Sequence, residues 1–205
     1  MSVTASPNVS STVGLKNVVI APLTVDTETT LTYGTVQAVA GAVEASVTPE
    51  NSDPDVMYAD DIEFDTLYAD PELSFKLKMA DIPLAIQEMI FDNEIDDNGV
   101  LVRTAGDKPS YFAVGFKSEK SNGKFRYVWL YKVRAKPVTE SFATKEGKTI
   151  NRQNPEVEFT AIKRTHDGRY QAVADEDENG FTAAMGATFL ETVYTPTFTP
   201  AQSGT

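Results

Sequence analysis

The stretch from Phe112 to Tyr131 constrains this chain more than any other. It places Asn122-Gly123 between two runs rich in aromatic and β-branched residues. That dipeptide signals a β-hairpin, because a two-residue type I′ turn needs φ > 0 at both central positions. Such a turn sets Ser121 opposite Lys124, Glu119 opposite Arg126, Phe116 opposite Trp129 and Val114 opposite Tyr131. One face then carries Phe112, Val114, Phe116, Tyr127, Trp129 and Tyr131; the other carries Ala113, Gly115, Val128 and Leu130. Both faces are apolar near the base, and the tip from Lys117 to Arg126 is charged. A strand pair apolar on both sides must be covered on both, by its own domain or by a neighbouring copy. Phe112, Phe116, Trp129 and Tyr131 are therefore expected in core or inter-subunit packing.

The rest of the chain reads as many short strands around one helix. Residues 1–13 read as a flexible arm rich in Ser, Thr and Val, and residues 195–205 as an extended Thr/Pro tail. Gly14 to Leu23 reads as a strand stopped near Pro22, Thr24 to Tyr33 as a Thr-rich loop or extended arm, and Val43 to Val47 as a strand. Pro49 to Pro54 has turn chemistry. Residues 56–80 read as a second hairpin: Ile62 and Phe64 alternate with Asp61, Glu63 and Asp65, while Leu73, Phe75, Leu77 and Met79 alternate with Lys76 and Lys78. Joining the apolar faces sets the carboxylates beside the lysines. Ile82 to Phe91 reads as a helix, with Asp81 near its cap, Pro83 in the first turn and a stripe of Ile82, Ile86, Met89 and Ile90. An acidic turn follows from Asp92 to Gly99. Further strands are expected near 133–144, 156–164 and 169–175, with a possible return strand over Phe181 to Tyr194. The predicted fold is a mainly β, antiparallel sandwich or barrel with one packed helix, forming a single domain over residues 14–194.

Composition narrows the chemistry. The chain has 205 residues, no cysteine and one histidine, which excludes disulfides, thiol catalysis, Cys-based zinc sites and multi-His sites. No apolar run approaches the ~20 residues of a membrane span. Met-Ser-Val-Thr-Ala-Ser-Pro has neither the basic region nor the apolar core of an export signal, so a protein used without export is expected. The net charge of −12 argues against a phosphate-gripping nucleic-acid binder. Asp175-Glu-Asp-Glu-Asn-Gly180 resembles the first half of a calcium loop, but Gly186 stands where the bidentate Glu belongs, so a surface turn is the better reading. His166-Asp167-Gly168 reads as a turn with no nucleophile beside it. No phosphate-cradling glycine loop or serine elbow is present, and no cofactor or metal site is expected. The aromatic hairpin offers a base-stacking platform in principle, with Lys117, Lys120, Lys124 and Arg126 around its tip. The acidic balance favours core packing instead.

Several segments, taken together and in order, resemble the major tail proteins of long, non-contractile-tailed phages and prophages of Gram-positive bacteria. They are Val13 to Thr24, Tyr33 to Gln37, Asp53 to Asp61, Ala80 to Leu84, Gly115 to Lys132, Phe159 to Arg164 and Ala174 to Asp177. The resemblance spans about residue 13 to about 180. It implies a non-enzymatic subunit of a tail tube. Such subunits form hexameric rings that stack into a hollow conduit, through which DNA passes without specific binding. Expected partners are further copies of the chain and the tape-measure, tail-terminator and distal tail proteins. No membrane insertion is expected; the location is the virion tail, and the host cytoplasm during assembly. An acidic lumen lets DNA slide. The candidates are Asp61, Glu63 and Asp65, then Asp92, Asp96 and Asp97, then Asp175, Glu176 and Asp177; a solvated outer face paired with Lys76 and Lys78 is the alternative for the first group. Ring stacking is assigned to the loop holding Pro49, Glu50, Asn51, Asp53 and Pro54. The competing reading is a β-sandwich carbohydrate- or receptor-binding module of a virion, which requires an exposed aromatic platform.

Overall fold

The computed structural model describes residues 10–50, 55–59, 62–67, 72–138 and 154–198. In chain order these form β1 (Thr12–Asp26), β2 (Leu31–Tyr33), β3 (Gln37–Val39), β4 (Ala42–Glu50), β5 (Asp55–Ala59), β6 (Ile62–Leu67) and β7 (Glu72–Met79). Then come α1 (Leu84–Phe91), β8 (Glu94–Ile95), β9 (Leu101–Val102), β10 (Phe112–Lys120), β11 (Phe125–Ala135), β12 (Glu156–Ala161), β13 (Gln171–Asp175) and α2 (Ala183–Thr188). Strands far outweigh helices among the described residues, so the chain is mainly β, as its alternation predicts, with two short helices instead of one.

The main sheet runs β2-β1-β10-β11-β12-β7-β4, with β3 beside β1 and β13 beside β11. It folds over on itself. Phe75 of β7 stacks on Phe116 of β10 with ring centroids 5.9 Å apart. Three pairings separate those strands in the sheet; laid flat, they would stand roughly 14 Å apart at about 4.8 Å per pairing. The long strand β11 makes the turn between layers: Arg126 to Leu130 pair with β13, and Val133 to Ala135 pair with β12. The result is a sandwich with β4, β7 and β12 in one layer and β13, β10 and β1 in the other.

Between the layers lies the main core. Val18, Ile20, Phe112, Val114, Phe116, Val128 and Leu130 meet Leu73, Phe75, Leu77, Met79, Val157 and Phe159. The α1 helix closes this core with Ile86 and Ile90, joined by Ile82 just before the helix, as the 3.6-residue period predicts. Asp81 accepts a hydrogen bond from the Ile82 N–H (2.8 Å), and the helix stops at Asp92, which adopts the left-handed conformation. A second core lies on the outer side of the β10–β11 layer, where Val19, Ala113, Tyr127, Trp129 and Tyr131 are covered by Phe181, Phe189, Leu190, Val193 and Tyr194.

The aromatic hairpin forms, but one residue out of the expected register. Only Gly123 has positive φ at the turn, so it is not type I′. The Gly123 N–H donates to Lys120 O and the Lys120 N–H donates to Lys124 O, giving a three-residue loop. Gly115 therefore faces Trp129, Phe116 faces Val128 and Val114 faces Leu130. A slip of one residue turns a whole strand over. Phe112, Val114 and Phe116 share the main core with Val128 and Leu130, while Tyr127, Trp129 and Tyr131 share the other face with Ala113. Glycine is required at position 115, because a Cβ there would lie 2.8 Å from the Trp129 ring.

Other expectations are corrected in the same way. The 56–80 segment is not one hairpin: β5 pairs with β6, and β7 pairs with β4 and β12. Thr12 and Val13 belong to β1, which runs through Pro22 to Asp26, and β2 occupies part of the supposed Thr-rich loop. Pro22 is tolerated where β1 crosses from one neighbour to the next. Phe181 to Tyr194 contains α2, not a strand. The Thr182 side chain caps it by accepting from the Met185 N–H (3.2 Å), and Ala183, Ala184 and Ala187 favour helix. β11 ends at Ala135, and the remainder of the strand expected to reach 144 lies largely outside the described residues.

Candidate assembly surfaces

Among the described residues the main-sheet strands β2, β3, β4 and β13 each pair with a single neighbour. Of these, β4 and β13 carry the exposed valines Val43 and Val173. Unpaired edges invite strand addition. The outward face of the β4-β7-β12 layer bears ladders of opposite charge. Lys78 lies between Glu44 and Glu156, and Lys76 lies between Ser46 and Glu158. Lys136 also reaches Glu158, and its hydrogen bond holds that carboxyl below the usual range. The ladder neighbours of Lys76 and Lys78 are thus Glu44, Glu156 and Glu158, on β4 and β12.

The β5–β6 pair is a separate two-stranded sheet in the same register as the β4–β7 ladder. Glu50 pairs with Glu72 and Asp55 with Leu67, so five residues forward on one strand match five back on the other. Among the described residues the contacts of this β5–β6 arm are chiefly between its own two strands. Met57 on it is 60% exposed. The segment 50–72 holds nine carboxylates and no lysine or arginine. Glu63 and Asp65 belong to β6; Asp61 lies outside the described residues, as do Asn51, Asp53 and Pro54. Pro49 and Glu50 are the last residues of β4 and not a loop.

The other acidic candidates have different surroundings. Asp92, Asp96 and Asp97 are on the surface beside α1. Asp96 closes its own turn by accepting from the backbone N–H groups of Val100 (2.8 Å) and Asn98 (2.9 Å), and these hydrogen bonds lower its pKa. Asp175 takes a two-pronged contact from Arg126 (2.7 Å each), which lowers its pKa. Asp177 pairs with Lys120 and accepts from Asn122 (3.0 Å). Glu176 accepts from the Phe125 N–H (3.0 Å) and the Tyr127 hydroxyl (2.8 Å). These three carboxylates lock the charged tip of the aromatic hairpin. Among the described residues no group of His, Cys, Asp and Glu is arranged to hold a metal ion.

Phe112, Phe116, Trp129 and Tyr131 are buried within the chain, so they belong to its core and present no surface to a partner. The Trp129 indole N–H donates to Phe189 O (2.9 Å). Sequence reading gave no role to Arg164, which is fully buried. It stacks over the Tyr131 ring (3.8 Å to the centroid) and pairs with Asp167. Asp26 ties β1 to the turn after β12, accepting from Lys132 (2.7 Å), Thr165 N–H (2.9 Å) and His166 N–H (3.0 Å). Burial alone pushes the Asp26 carboxyl up, but these donors outweigh it and bring the pKa down to about 2. His166 is thus part of a structural turn, as the sequence suggests.

No family model and no curated protein matches this chain. Among the described residues no helix is long and apolar enough to cross a membrane.

Proposed function

We propose that this chain is a structural, non-enzymatic subunit that self-assembles into stacked hexameric rings, forming the tail tube through which a phage delivers DNA. The observation that carries the reading is the acidic β5–β6 arm, in register with β4–β7 and, among the described residues, in contact chiefly within itself. A two-stranded hairpin is marginally stable alone, so an arm of this kind serves contact with another molecule. The free edges of β4 and β13 support lateral pairing between copies, which removes exposed edges when a ring closes. The sandwich with a packed helix and the ordered resemblance to tail proteins support the same reading. In the tube the arm is the stacking element, in place of the loop at 49–54. Of the acidic candidates, Asp175, Glu176 and Asp177 are held by internal partners, which leaves Asp92, Asp96, Asp97 and the arm as carriers of free negative charge.

The carbohydrate- or receptor-binding reading needs an exposed aromatic platform, and the hairpin aromatics Phe112, Phe116, Trp129 and Tyr131 are buried. Negative-stain microscopy tests the proposal. The purified chain is expected to form rings or long tubes, and a variant with residues 52–69 replaced by a short Gly-Ser turn is expected to stay folded and form no tubes. Uniform small particles from the intact chain under all assembly conditions would overturn the reading.

A further inference from the structure

Three Asn-Gly pairs occur in the chain: Asn98-Gly99, Asn122-Gly123 and Asn179-Gly180. Each lies on an exposed turn, and each glycine has positive φ. Such pairs share one reactivity. With no Cβ in the way, the glycine nitrogen can reach the asparagine side-chain carbonyl. The fold treats the three differently. At Asn122 the side-chain amide donates to Asp177 (3.0 Å), its oxygen accepts from the Lys124 N–H (3.1 Å), and the Gly123 N–H donates to Lys120 O (2.9 Å). At Asn98 the side-chain amide donates to Asp96 (3.3 Å), and the Gly99 N–H donates to Asp96 O (2.9 Å). Among the described residues, neither the Asn179 side chain nor the Gly180 N–H has a hydrogen-bond partner. Asp97 precedes Asn98, Asp177 touches Asn122 and Glu178 precedes Asn179, so a neighbouring carboxylate does not rank the three.

We propose that Asn179 is a site of spontaneous deamidation, and that the fold protects Asn98 and Asn122 from the same reaction. Hydroxide removes the Gly180 N–H proton, and the nitrogen attacks the Asn179 Cγ. The N–Cγ bond forms, the Cγ–Nδ2 bond breaks, and Nδ2 leaves as ammonia with a proton from water, which regenerates hydroxide. Water then opens the cyclic imide at either carbonyl, giving aspartate or isoaspartate. At Asn98 and Asn122 the attacking N–H is engaged by a carbonyl and the side chain is held, so reaction waits for a local opening. The position also matters to the fold. Residue 179 joins the latch of Asp175, Glu176 and Asp177 to the segment 181–194, which covers the second core. Among the described residues that segment shares a single hydrogen bond with the strands beneath it, the Phe189 carbonyl accepting from the Trp129 indole. Deamidation adds a carboxylate at this junction, and the isoaspartyl form lengthens the main chain there by one carbon.

The test holds the full chain in warm, mildly alkaline buffer, with and without urea. Deamidation at each pair is followed by peptide mass spectrometry, and isoaspartate by methyltransferase labelling. In the folded chain Asn179 is expected to react roughly tenfold faster than Asn98 or Asn122, since each of those must first break two or more hydrogen bonds. In urea, where those bonds are lost, the three rates are expected to converge. Asn179→Gln is expected to abolish the fast phase, because its side-chain carbonyl lies one carbon further out and closes a larger ring. A rate at Asn179 no faster than at the other two pairs would overturn the site. A ranking that persists unchanged in urea would overturn the fold as its cause. Either result leaves the self-assembly reading where it stands.

Discussion

Asp175, Glu176 and Asp177 close a turn and each meets a base or a hydrogen-bond donor, whereas the segment 50–72 holds nine carboxylates and no base at all. The first group spends its charge inside the subunit. It fastens the loop after β13 to Lys120, Asn122, Arg126 and Tyr127 at the hairpin tip. The second group belongs to a segment whose described strands, β5 and β6, pair with each other in the register of β4 and β7. Equal acidity therefore accompanies two different arrangements: a latch that completes the fold, and a two-stranded arm without a basic residue of its own.

The comparison can be broken or sharpened by substitution. The largest effect is expected at Arg164. Arg164→Ala removes a buried cation from Tyr131 and Asp167 and should cost about 3 kcal/mol in urea unfolding, in line with breaking a buried pair. A loss below about 1 kcal/mol would show that the sandwich charges matter no more than surface ones. Gly115→Ala follows. Its Cβ meets the Trp129 ring at 2.8 Å, and overpacking of this kind should cost about 2 kcal/mol.

A smaller effect concerns acid. The folded-state pKa of Asp26 is lowered to about 2 from an ordinary value of 3.8. A lowered carboxylate stabilises the fold at pH above its unfolded pKa, and that contribution fades as pH falls through the folded value. Thermal stability should therefore decline between about pH 4 and pH 2, and Asp26→Asn should flatten the decline. An unchanged acid slope in the variant would remove Asp26 from the account. The smallest effect belongs to the arm: Glu63→Ala should change subunit stability by less than about 0.5 kcal/mol, as for residues outside packed networks. A loss comparable to that of Arg164→Ala would mean the arm is packed after all, and the contrast would collapse.

How far the sequence could be read depended on the range of the signal. The stripe of Ile82, Ile86 and Ile90 identified α1 correctly, because a helix is specified by neighbours three and four residues apart. Asn122-Gly123 located the hairpin but not its register, since a two- and a three-residue loop differ by one position and that position turns a strand over. Lys76 and Lys78 announced an ion-paired face, yet their partners Glu44, Glu156 and Glu158 sit on strands that local alternation gave no reason to prefer. The helix at Ala183 to Thr188 was signalled by Thr182 and three alanines and was obscured by the aromatics around it. The alternation at Ile62 to Asp65 announced β6 as a hairpin strand but pointed to β7 as its partner in place of β5.

By itself, the chain's order of residues determined that the fold is antiparallel β with a packed helix, that no covalent staple holds it, and that its surface is acidic. Those properties follow from alternation, composition and charge, which act locally or as sums. Only the tertiary structure decided that Trp129 faces Gly115, that β7 lies between β4 and β12, and that Asp175, Glu176 and Asp177 latch the hairpin tip. Such choices depend on which distant strand offers the better-matched face, and the free energy of that match exists only once the chain has brought the faces together.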